Sequence, residues 1–264
     1  MPPPSEYRLR RLIARVARIE DTAARVQLRI LRQSRKDILA ALVDAGAFDK
    51  FRLELLLFAI DREITTAMIE AQAAVEAAVR DSFAVGREFA SAALGLDLVG
   101  TSPELIQAIV TVTREQIRSV WTELGAALRN IVRRAALGIT DPFKAMTMLA
   151  KLIRDPKTFG RAFWRAETIV RTEVSRTFSL ASQSELERGA KARVKLRKWW
   201  LTAGDERVRD SHRQAGEDYG QGEAIAWDAL FKVGEDRLLH PLDPNGSAEE
   251  TINCRCVSVP VVLD

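Results

Sequence analysis

The chain has 264 residues, 47% of them apolar, and a net charge of +4. That is enough apolar content for a folded core and too little charge imbalance for a disordered chain. No apolar run approaches the ~20 residues of a bilayer-crossing helix, because Glu54, Asp61, Arg62 and Glu63 interrupt the richest stretch, so no membrane contact is expected. The N-terminus has no apolar signal core with a small-residue cleavage site. Two cysteines separated only by Arg255 exclude a disulfide framework and predict reduced thiols. Acids and bases interleave, so the basic excess permits nucleic-acid contact without forming a polybasic tail.

Apolar residues at Leu9, Leu12, Val16, Ile19, Ala23, Val26 and Ile30 alternate steps of three and four, which places them on one seam of a long helix with arginines largely outside it. The seam predicts pairing with another helix, and it is the expected docking surface for a partner. Its register lapses at Gln33 and Lys36, which favours a bundle helix over a long coiled coil. Gly46 suits the helix C-terminus, and the alanine-rich stretch after it reads as one or two further helices. Ser102 before Pro103, Asp141 before Pro142 and Asp155 before Pro156 each pair a capping residue with proline at the first helical position. They predict three more helix starts, the first helix running to about Leu137. The chain is thus expected to be helical to about residue 188.

The pattern breaks at Gly189. Beyond it come mixed basic and apolar residues, loops rich in glycine and proline, and an apolar end at residues 256–263. Helical signals there are restricted to residues 205–215 and to the stretch from Ala224 to Gly234. The expected fold is mainly α, a long N-terminal helical region followed by a small mixed α/β C-terminal domain, with the boundary near residue 160: 1–160 for docking and 161–264 for the module.

Both histidines and both cysteines fall in that module. In an extended Cys254-Arg255-Cys256 the two sulfurs share a face and can reach one soft cation such as zinc. His212 and His240 are further candidate ligands, with Asp205, Asp210 and Asp243 as carboxylate alternatives, since a tetrahedral site needs four. The competing reading is thiols packed as small apolar groups, with His212 hydrogen-bonded in a turn. Asp205, Glu206, Asp210, Glu217 and Asp218 around His212 also suit metal-assisted hydrolysis by residue type, but the alternating charges equally describe a solvated helix face. Lys195, Arg197 and Lys198 beside Trp199 and Trp200 form a candidate nucleic-acid surface of phosphate-neutralising and stacking groups, or else a strand with tryptophan in the core.

Arg171-Thr172-Glu173, the Trp-containing segment, Asp205 with Arg209 and His212, Asp243-Pro244, and the closing Asn253-Cys254-Arg255-Cys256 recur in an order that resembles the Mu F-like head morphogenesis domain of tailed phages. The resemblance covers about the last hundred residues. It implies a minor head protein made in the host cytoplasm and taken in few copies into the procapsid. There it would lie in the capsid interior near the portal, contacting portal protein, other head proteins and packaged double-stranded DNA. It implies no established catalytic activity, and His212, Cys254, Cys256 and Asp205 as residues that fix the fold. Relatives of this kind can carry a toxin domain after this one; here none is expected, since the chain stops eight residues after Cys256. The alternatives are a metal-dependent nuclease or toxin-like hydrolase using Asp205 and His212, and a DNA-binding module using the Trp199 segment.

Overall fold

The computed structural model describes residues 6–44, 50–95, 103–191 and 195–263. Five helices come first: α1 (Glu6–Asp44), α2 (Lys50–Leu94), α3 (Pro103–Ala136), α4 (Pro142–Arg154) and α5 (Pro156–Lys191). A small module follows, with strands β1 (Lys195–Leu201), β2 (Ile225–Ala226), β3 (Phe231–Val233), β4 (Asp236–Leu238) and β5 (Val257–Leu263), and helices α6 (Asp210–Asp218) and α7 (Ala248–Thr251). The fold is mainly α with a small α/β end, as expected. Gly46 and Ser102, the anticipated cap residues, lie outside the described residues.

Local chemistry explains the helix starts. Asp141 accepts the Lys144 amide at 2.9 Å and Asp155 accepts the Lys157 amide at 2.9 Å, satisfying donors that the first turn leaves open. The alanine-rich stretch is one 45-residue helix, α2. Gly189 does not end α5. A side chain there would meet Leu94 Cδ1 at 2.7 Å, so glycine serves close packing of α5 on α2 rather than a break. The stretch from Ala224 to Gly234 is likewise not helical. Phe231 and Val233 alternate into the core, as strand residues do, and Gly234 (φ 57°) makes the two-residue turn into β4.

The chain divides into two compact units. The second comprises residues 22–77 and 110–170. Its α2 stripe of Ile60, Ile64, Ala67, Ala71 and Val75 and its α3 stripe of Val110, Ile117, Trp121, Leu124, Leu128 and Val132 are buried at helical spacing. Buried Gln27 donates to the Ala71 carbonyl at 2.9 Å, so its amide group is not left without an acceptor.

The first unit comprises residues 1–21, 78–109 and 171–264. Here α2 and α5 touch backbone to backbone: a Cβ on Gly86 would lie 2.5 Å from the Phe178 carbonyl oxygen. Ser82 donates to the Val174 carbonyl at 2.7 Å, and Phe89 meets Phe178 edge to face at 5.2 Å. The module's sheet is antiparallel in the order β2-β1-β5, with Lys195 opposite Leu263 and Leu201 opposite Val257.

The docking expectation for the α1 seam is corrected. Leu9, Leu12, Val16 and Ile30 are buried within the protein's own helices, and Ile19 and Val26 are half-buried. Periodicity identified an apolar face, and the chain itself covers it. Glu20 on this helix is also buried, its carboxylate accepting from the Ser175 hydroxyl, and burial raises its pKa to about 7. The folded state therefore holds a proton that the unfolded chain has released, and stability falls as pH rises from about 4.5 to about 7. The loss should be on the order of 3 kcal/mol. Chemical denaturation across that range should show the decline in the native protein and its disappearance in Glu20→Gln.

Candidate functional site

The module's core is built around Trp200 on β1, with Ala215, Phe231, Val233, Leu238, Leu242, Cys254 and Cys256 packed on it. Trp200 meets His212 at 5.6 Å and Phe231 at 5.2 Å, both edge to face. This places the α6 histidine against the segment that leads into β5. Its Nδ1 lies 3.3 Å from Cys256 Sγ and 3.6 Å from Cys254 Sγ. Its Nε2 lies 2.9 Å from Glu250 Oε2, and because a carboxylate only accepts, Nε2 carries the donated hydrogen.

All three residues are buried. Among the described residues, His212, Cys254 and Cys256 bring their ligand atoms within 4.8 Å of one another, close enough to share a cation. The Cys256 thiol lies within 4.8 Å of the Cys254 thiol. That contact, reinforced by His212, lowers the Cys254 pKa, while the same pairing and burial push Cys256 up. Burial depresses the His212 pKa, but the interaction with Cys254 and the Glu250 charge outweigh it and leave the pKa raised.

The motif residues surround this junction. Asn253 adopts φ 57°, a left-handed conformation that asparagine tolerates, and so turns the chain immediately before the cysteines. Thr172 on α5 accepts the Asn253 amide at 3.1 Å, and Arg209 donates to the Ile252 carbonyl at 2.5 Å. Arg255 grips Asp205 through both guanidinium ends, at 2.5 and 2.7 Å, which lowers the Asp205 pKa to about 2. Arg171 pairs with Asp21 at 2.8 Å and Glu173 with Arg176 at 2.5 Å. Asp243 accepts from the Leu239 amide and from both nitrogens of Asn245, holding the loop before Pro244.

Several candidate ligands are placed elsewhere. Asp205 is committed to Arg255 and does not join the histidine and thiols, so an acid–base pair of Asp205 with His212 is not assembled. His240 is buried apart from the junction, donating from Nδ1 to the Pro241 carbonyl at 2.9 Å. Asp210 pairs with Arg213 at the surface, and Asp243 holds its own loop. The residue that sequence reasoning missed is Glu250. Ser247 and Glu250 form the S-x-x-E spacing of a capping box, and Ser247 does accept the Glu250 amide at 3.4 Å. The carboxylate itself turns to His212, a tertiary contact that the local pattern does not reveal.

The candidate nucleic-acid surface is also corrected. Lys195 and Arg197 are exposed, whereas Lys198, Trp199 and Trp200 are buried. They lie on the faces of β1 that the core takes up, so neither tryptophan presents a stacking face. Lys198 donates to the Leu239 carbonyl at 2.7 Å beneath the Phe231 and Trp227 rings.

A mainly helical chain with a compact α/β end, and no described helix long and apolar enough to cross a membrane, is the class of protein that the fold defines. Residues 144–259, the C-terminal part, match the family of phage Mu protein F like proteins, the family that the motif residues resemble. That family serves phage head morphogenesis, and the match supports a phage structural protein. The NAD(+)--arginine ADP-ribosyltransferase EFV of Enterococcus faecalis (strain ATCC 700802 / V583) is 29% identical over 101 residues, 38% of this chain and 20% of that protein. The chain thus spans about a fifth of the length of that relative. No solved structure matches the chain.

Burial lowers the Lys198 pKa to about 8, with Asp228 and Asp243 opposing the shift. The folded state gives up this proton before the unfolded chain does, so stability rises as pH climbs from about 8 to about 10.5. The gain should be on the order of 3 kcal/mol. In Lys198→Met, denaturation midpoints should be flat across that interval.

Proposed function

We propose that the protein is a minor head protein, incorporated into the procapsid and lying near the portal in the capsid interior, with residues 161–264 as the head-morphogenesis module and the helices of 1–160 as its docking part. The observation that carries this reading is the match of residues 144–259 to the Mu F-like family. Synthesis takes place in the host cytoplasm before assembly, and the partners are portal protein and other head proteins.

Docking falls to exposed apolar side chains of the second unit, not to the buried α1 seam. Phe58, Ile69, Val112 and Phe143 are each more than half exposed, and groups of this size are the usual anchors of protein interfaces. Contact with packaged DNA falls to the arginine face of α1. Arg8, Arg11, Arg15 and Arg18 line a cleft of about 230 Å³, where Glu88 is the acidic group and pairs with Arg15 at 3.1 Å.

Two experiments test this reading. Phe58→Ser combined with Ile69→Ser should cut incorporation into procapsids about tenfold or more while leaving the folded protein intact, because both side chains are exposed. Incorporation equal to the native level would reject the docking role. Arg11→Ala combined with Arg18→Ala should weaken binding to double-stranded DNA and reduce the slope of log affinity against log salt by about 2. Binding without salt dependence would reject the DNA contact.

A further inference from the structure

We propose that His212, Cys254 and Cys256 hold one zinc ion, and that Glu250 is the positioning residue that aims the imidazole at it. The inference stands on the module's own geometry and is independent of the head-protein reading. Zinc bonds of about 2.3 Å to sulfur and 2.0–2.1 Å to nitrogen, at tetrahedral angles, set N···S edges of about 3.6 Å. The two N···S separations here are 3.3 and 3.6 Å, with all three ligand atoms within 4.8 Å of one another. Both N···S edges are thus already close to the spacing that the ion requires.

The ring's orientation is the second observation. A metal-bound imidazole gives its lone pair to the ion and donates its other N–H to a carboxylate or carbonyl. His212 is held in this way, Nε2 donating to Glu250 at 2.9 Å and Nδ1 facing both sulfurs. Glu250 is itself fixed, accepting from the Ser211 hydroxyl at 2.9 Å, and it approaches Gly234 so closely that a Cβ there would lie 2.4 Å from Oε1. Without an ion, one imidazole lone pair faces two buried thiols and can accept from only one of them.

Two thiolates and an imidazole form a soft donor set suited to zinc. A cavity of about 10 Å³, lined by the three ligands together with Ala203, Arg207, Val208, Arg209, Asn253 and Arg255, lies at the junction, and a water would complete the tetrahedron as the fourth ligand. On binding, the cysteines coordinate as thiolates and His212 as a neutral imidazole, two Zn–S bonds and one Zn–N bond form, the protons that the three ligand atoms held pass to solvent, and no electron is transferred. The ion would tie α6 to the segment before β5 across 42 residues of chain, in a module with little regular secondary structure.

The test uses the full chain. Elemental analysis after purification without chelator should find one zinc per chain. Cobalt(II) replacing it should give intense visible bands of tetrahedral geometry and a near-ultraviolet thiolate-to-cobalt band. Cys254→Ser should weaken that band, and Glu250→Gln should keep the spectrum while lowering metal affinity roughly 10–100-fold. A native chain that takes up neither metal, or that gives only the faint spectrum of octahedral cobalt, overturns the proposal. Because the native spectrum decides, failure of a variant to fold does not blur the outcome.

Discussion

An imidazole facing two sulfurs is the contact around which the C-terminal module is arranged. His212 comes from α6 and the cysteines from the segment before β5, so their meeting joins parts of the chain that no continuous sheet or helix connects. The motif residues make sense as servants of this junction. Asn253 supplies the left-handed turn that delivers the cysteines, Thr172 and Arg209 hold that turn from α5 and from the start of α6, and Arg255 is anchored outward on Asp205. In three dimensions these motif residues form a set of hydrogen bonds around the two sulfurs.

Buried ionisable groups near the module fit the same logic of a packed core rather than an open reaction centre. Lys198 lies under aromatic rings with its ammonium on a carbonyl, and Glu20 is buried against Ser175. Each is held by one neighbour and displaced from its ordinary pKa chiefly by burial, in opposite directions. The bidentate grip of Arg255 leaves Asp205 no part in proton transfer with His212.

Legibility in the sequence followed the range of the interaction. Helix starts at Asp141 and Asp155 were readable because the capping bond spans two or three residues. The shared face of Cys254 and Cys256 was readable because it depends on an i, i+2 relation. The α1 seam was readable as an apolar face but not by what covers it, since periodicity carries no information about the partner element. The basic neighbours of Trp199 and Trp200 leave a surface and a core strand equally open in the sequence, and strand packing buries both along with Lys198. Gly189 signals a break in the sequence but serves close approach to Leu94, and the role of Glu250 is hidden there because its partner lies 38 residues away.

The head-protein reading rests on a family match over residues 144–259. The most direct measurement is a density map of the assembled head around the portal. The account predicts this chain as resolved density inside the capsid at the portal, with a compact peak where His212, Cys254 and Cys256 meet. Heads that assemble and package DNA with no copy of the chain in their interior would contradict it.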